Sequence, residues 1–122
     1  MANVVSWFEV PVSDFDRAKD FYTQVTGGEM HIEEIQDTKM GFFHMEGEGV
    51  GGAICAGAEY KPSSEGATIY LNGGEDLSEQ LSRVEPSGGT VIVPKTKISD
   101  EIGFFAMFLD TEGNKLAFHS PK

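Results

Sequence analysis

One order of segments occurs twice in this chain. A strand-like run, a helical pattern ending in paired glycines and three further strand-like runs fill the first half, and the same order then restarts. Sliding the sequence against itself by 61 residues sets Gly27-Gly28 on Gly88-Gly89, Val5 on Gly66 and Trp7 on Thr68. The last strand needs three residues more, which sets Ala53 on Ala117 and Cys55 on His119. Identities are few, so the repeat rests on order and spacing. It constrains the fold strongly, because one half alone leaves a sheet face bare while two halves can close around a shared cavity.

The segments follow from periodicity. Val4 to Val12 alternates and is rich in β-branched and aromatic residues, so it reads as a strand. Ser13 has the character of a helix N-cap, with Asp16 at capping-box spacing. Phe15, Ala18, Phe21, Tyr22 and Val25 recur at helical spacing and face a core. Gly27-Gly28 then ends the helix. Strand-like runs follow at Glu29 to Ile35, Met40 to Met45 and Val50 to Ala56, with turns at Gln36-Asp37-Thr38 and Gly47-Glu48-Gly49. In the second half Ala67 to Asn72 is a strand, and Leu77, Leu81 and Val84 mark a helix stopped by Pro86, Gly88 and Gly89. Thr90 to Pro94, Phe104 to Leu109 and Lys115 to Ser120 complete the set, the last two joined by the turn Asp110 to Asn114.

The polar stretch Glu59 to Gly66 carries Pro62, Ser63 and Ser64 and is the natural linker. The reading is one α+β domain of 122 residues: a first βαβββ module over 1–58, a linker over 59–66 and a second module over 67–122. Together the modules form a curved mixed sheet around a cavity. A chain this long buries roughly two-thirds of its unfolded surface and needs no staples. Its single cysteine, Cys55, rules out an internal disulfide and fits a reducing, cytoplasmic compartment. The segment Met1 to Trp7 has neither a basic region nor a long apolar run, so no signal peptide is expected, and no stretch approaches a membrane span. The formal net charge of -11 repels phosphate backbones, which argues against nucleic-acid partners and leaves room for a cationic ligand.

Two motif matches carry no chemistry. Gly47 to Gly52 fits GxGxxG, but no helical pattern follows to cradle a phosphate. Asp110 to Asn114 resembles the start of a calcium loop, but its glycine is misplaced and the distal glutamate is missing. Both read as turns.

Trp7-Phe8-Glu9-Val10-Pro11-Val12-Ser13-Asp14, with Arg17-Ala18 and Phe21-Tyr22, resembles the opening of the vicinal oxygen chelate superfamily. That group contains glyoxalase I, bleomycin resistance proteins and extradiol dioxygenases. Phe108 to Leu116 resembles its closing hairpin, and Gly88-Gly89 and Pro94-Lys95-Thr96 fit the same pattern. The resemblance implies two modules forming an open cavity, often in a homodimer, and four seats for metal ligands on the first and last strands of each module. Carried over residue by residue, the seats fall at Trp7, Ala53, Thr68 and Ala117. An indole, two methyls and a hydroxyl cannot replace a set of His and carboxylate ligands, so no metal and no other cofactor is expected.

Residues two apart on a strand share a face. If Trp7 and Ala117 face the cavity, Glu9, Cys55, Tyr70 and His119 face it too. This set supports three chemistries. Glu9 and His119 could act as a general acid-base pair, giving a lyase or isomerase. Cys55 with His119 could act as nucleophile and base. Trp7, Glu9, Cys55, Tyr70 and His119 could bind a cationic or aromatic small molecule, and this is the leading expectation. The structural alternatives are a buried hydrophobe at Cys55, a solvated or salt-bridged carboxylate at Glu9 and an exposed imidazole at His119. A relocated metal site would have to draw on His31, His44 and His119.

Overall fold

The computed structural model describes residues 3–122, so Met1 and Ala2, which open the segment read for a signal peptide, lie outside the described residues. The first half runs β1 (Trp7–Pro11), α1 (Phe15–Thr26), β2 (His31–Ile35), β3 (Thr38–Phe42) and β4 (Gly51–Ala56). The second runs β5 (Ile69–Asn72), α2 (Ser78–Leu81), β6 (Thr90–Ser99), β7 (Gly103–Leu109) and β8 (Lys115–Ser120). Each half is a four-stranded mixed sheet. Their orders are β1-β4-β3-β2 and β5-β8-β7-β6, so the same topology is used twice. The first strand of each half runs parallel to the last, and the other pairs are antiparallel. The two sheets are not closed, and no ladder joins β1 to β5 among the described residues.

α1 is amphipathic and buries Phe15, Ala18, Phe21, Tyr22 and Val25, the residues its spacing marks. Its N-cap is Asp14 rather than Ser13: the Asp14 carboxylate accepts from the Arg17 N–H at 3.2 Å. The Ser13 N–H is taken instead by Glu112, a residue from the far end of the chain that local spacing does not reveal. Gly27, at φ 81°, ends the helix in the left-handed conformation, and its N–H reaches the Thr23 carbonyl. α2 is shorter than its apolar spacing suggests. Leu77 and Val84 are fully buried, but Pro86 and Gly88 (φ 106°) turn the chain before a second turn of α-helix forms.

Several strands also differ from their sequence reading: β2 opens at His31 rather than Glu29 and β5 at Ile69 rather than Ala67. β3 begins at Thr38 because Gln36 and Asp37 alone form the turn, both with positive φ (48° and 67°), the hairpin geometry that matches strand twist. β1 is shorter than Val4 to Val12. β6 runs through Pro94 to Ser99, which is tolerated because β6 is an edge strand with bulged pairing to β7.

The core is shared between the halves. Phe43, Tyr22, Phe21, Phe108 and Phe118 form a continuous aromatic chain with centroid separations of 4.9 to 6.0 Å. α1 thereby packs on both sheets at once. Near its start the Asn114 amide donates to the Pro11 carbonyl at 2.7 Å, tying the last hairpin to β1. No helix among the described residues is long and apolar enough to cross a membrane.

Candidate ligand-binding face

The core takes Val10 from β1 and Ile54 from β4, and Leu71, Leu116 and Phe118 from β5 and β8. Alternation turns Trp7, Glu9, Ala53 and Cys55, and in the second half Tyr70, Ala117 and His119, to the opposite face. Pairing registers fix the neighbours: Glu9 lies beside Ala53, Tyr70 beside Ala117 and Asn72 beside His119.

Trp7, Glu9 and Cys55 come together. The Trp7 indole N–H lies 3.4 Å from Glu9 Oε2, and the ring packs against Phe42 at a centroid separation of 5.7 Å. Tyr60 joins them from the linker and donates its hydroxyl to Glu9 Oε1 at 2.7 Å. That hydrogen bond, with some burial, pushes the Tyr60 phenol up to about 12. Burial, with the charge of Glu9 adding to it, pushes the Cys55 thiol up to about 12 as well. Both groups therefore keep their protons at neutral pH. Cys55 is fully buried, so it forms a closed floor rather than an exposed nucleophile.

Tyr70 and His119 meet elsewhere, in an open depression of about 520 Å³ that they share with Ile98 and Ile102. His119 Nε2 is 2.6 Å from the Ile102 carbonyl, which fixes a proton on that nitrogen. Glu9 lines a different cleft, at the seam between β1 and β5. No hydrogen bond links Glu9 or Cys55 to His119.

Tyr60 is the site residue that strand alternation does not reveal, because it lies outside any strand. Its signal is a lone aromatic with a polar tip inside an otherwise polar, proline-bearing linker.

The profile of the glyoxalase/bleomycin resistance protein/dioxygenase superfamily matches residues 4–118. The chain belongs to that superfamily. A glyoxylase-like domain-containing protein from Didymella fabae is 30% identical over 118 residues, covering 90% of this chain and 88% of its own length. Among solved structures, TnmS3, an antibiotic binding protein from Streptomyces sp. CB03234, superposes with a TM-score of 0.68 at 24% identity, covering 100% of this chain and 99% of TnmS3. A mutant glyoxalase I from Zea mays gives a TM-score of 0.74 at 13% identity, with 96% of this chain matched to 44% of that one. These structural likenesses concern the fold.

The residues expected at the four seats for metal ligands are Trp7, Ala53, Thr68 and Ala117. Ala53 and Ala117 are fully buried methyls and Trp7 is an indole, so these residues do not fit a divalent metal. The three histidines lie apart. His31 pairs with Glu33 at 3.1 Å, His44 packs over Gly28 and His119 bonds Ile102. Among the described residues no three His, Cys, Asp or Glu side chains converge as a ligand set.

Proposed function

We propose that this superfamily member binds a small organic molecule, cationic or aromatic, on the face that carries Trp7 and Glu9. The observation that carries this reading is the Glu9 carboxylate itself. Two neutral donors, Tyr60 and Trp7, orient it without neutralising it, and no Lys, Arg or His stands within ion-pair distance among the described residues. A half-exposed carboxylate beside an indole face attracts an organic cation by charge and by the ring quadrupole. Trp7 and Glu9 make the primary contacts over the Cys55 floor, while Tyr70 and His119 offer a second contact region. The antibiotic binding of TnmS3 supports binding as a use to which this fold is put.

The binding reading is preferred over proton transfer between Glu9 and His119. A shared proton path needs the two groups within about one water of each other, and their hydrogen bonds run to Tyr60 and Ile102 instead. The protein acts in the cytoplasm as a homodimer. Exposed Trp7, Tyr70, Ile98 and Ile102 support a covered apolar surface, and the single free thiol supports a reducing compartment.

The test is a thermal-shift panel of organic cations and aromatic compounds, read alongside light scattering for oligomeric state. A ligand at 100 times its dissociation constant adds about 2.7 kcal/mol of stability. Glu9→Gln, which keeps the shape and removes the charge, abolishes the shift for cations. A panel in which nothing stabilises the protein would falsify the reading.

A further inference from the structure

The seam between β1 and β5 holds a cleft of about 190 Å³ in which Glu9 is not the only charged group. Lys61, from the linker, and Lys115, at the start of β8, line the same cleft. Neither lysine is ion-paired with Glu9 or with any other acid among the described residues. The same lining includes the apolar Val10, Ile69 and Leu116, with Val10 and Leu116 almost fully buried, and the polar Ser63 and Asn114. One small cleft is therefore lined by one acidic residue and two basic residues, none ion-paired with another.

We propose that the ligand of this cleft is a small zwitterion of the amino-acid type, with its ammonium on Glu9 and its carboxylate on Lys61 and Lys115. The inference rests on the reading that Glu9 is a ligand-binding carboxylate, and it narrows the ligand class. Three considerations select a zwitterion. A ligand with only a positive charge meets Glu9 but faces two like charges in the same cleft. A ligand with only a negative charge must approach a protein whose formal net charge is -11, a field that opposes anions. A zwitterion meets both requirements and arrives with no net charge. The geometry of Glu9 leaves room for it: Tyr60 and Trp7 each use one oxygen, and a carboxylate has about four acceptor positions. Size is the third constraint. A volume of about 190 Å³ holds about six waters' worth of liquid, which suits a compact amino acid.

The test compares four probes by calorimetry and by thermal shift: 2-aminobutyrate, 4-aminobutyrate, butylamine and butyrate. The amino acids carry both charges, and the other two carry one each on the same carbon skeleton. At least one aminobutyrate is expected to bind tenfold or more tighter than butylamine, with butyrate weakest. Lys115→Met and Lys61→Met together reduce the aminobutyrate to the affinity of butylamine. Glu9→Gln weakens it at least tenfold, with circular dichroism confirming that each variant is folded. Methyl NMR shifts of Val10, Ile69 and Leu116 locate the binding. If butylamine binds as tightly as either aminobutyrate, the zwitterion assignment is wrong while the cation-binding reading stands. If none of the four binds, the zwitterion assignment is wrong, and if the wider cation panel also fails, the cation-binding reading falls with it. Shifts confined to the Tyr70–His119 depression would likewise overturn the cleft assignment.

Discussion

The Tyr22 hydroxyl donates a 2.6 Å hydrogen bond to Asp110 Oδ2 across 88 residues of chain. Tyr22 is fully buried on α1, and Asp110 is nearly so at the end of β7. Burial, with the neighbouring Asp110 charge, holds the Tyr22 phenol well above its ordinary range, so it always donates. The carboxylate also accepts from the N–H groups of Glu112 and Asn114 and from the Asn114 amide. This buried charge is stable only because its hydrogen bonds are complete. Tyr22→Phe removes one donor and no carbon, and it is expected to cost about 2 kcal/mol, the scale of a hydrogen bond to a charged group. Urea unfolding, with its midpoint falling at an unchanged slope, measures the loss.

Two residues beyond Asp110, Glu112 caps α1 from the opposite half of the repeat. Its carboxylate accepts from the backbone N–H groups of Ser13 and Asp14 and pairs with the Arg17 guanidinium at 2.5 Å, with its side chain only 1% exposed. Burial alone would raise its pKa, but the Arg17 hydrogen bond and the two N–H groups outweigh it, and the net shift is downward. A depressed folded pKa gives stability that is present above the unfolded value, about 4.3, and is lost as pH falls through the folded value. Stability should therefore fall from about pH 5 downward. Glu112→Gln should lower stability at pH 7 by about 1–2 kcal/mol, the scale of losing a helix cap, and flatten the acid limb. Unfolding free energies between pH 3 and pH 7 for both proteins test this; parallel curves would remove Glu112 from the acid response.

The repeat was legible because it governs pairing. Glu9 beside Ala53 and Tyr70 beside Ala117 are equivalent pairs, at the offsets of 61 and 64 residues visible in the sequence. The core face of α1 was legible for the same reason, since helical period and burial coincide in Phe15, Ala18, Phe21, Tyr22 and Val25. Contacts between distant segments were not. Glu112 takes the Ser13 N–H from the far end of the chain, and Tyr60 reaches Glu9 from the linker, and neither follows from local spacing. Alternation places Glu9 and His119 on the same side of their strands, but it says nothing about the separation of two sheets that share no ladder.

Cys55 should be chemically silent in the folded protein. It has no exposure, and its thiol is pushed up to about 12 by burial first and by the Glu9 charge second. Thiolate is the reactive form, so little is available at pH 8. A disulfide reagent should leave Cys55 unlabelled under native conditions and label it fully in denaturant. The native rate should track unfolding rather than reagent concentration. Fast labelling of the folded protein at pH 8 would mean that the floor beneath Glu9 opens readily.

Trp7, the single tryptophan, is 42% exposed and lies against the Glu9 carboxylate and the Phe42 ring, which makes its fluorescence a direct report on the proposed site. A cation held by Glu9 should alter the emission, since it changes both the charge beside the indole and its access to water. Tyr60→Phe separates orientation from charge: Glu9 keeps its carboxylate but loses the 2.7 Å donor that aims it. The affinity read from Trp7 emission is then expected to fall about three- to tenfold, in line with the net worth of one hydrogen bond. Stability should change little, because Tyr60 lies in the linker outside the core cluster. An unchanged affinity would show that Glu9 needs no support from the linker. A collapse of stability would show instead that the linker anchors the first sheet.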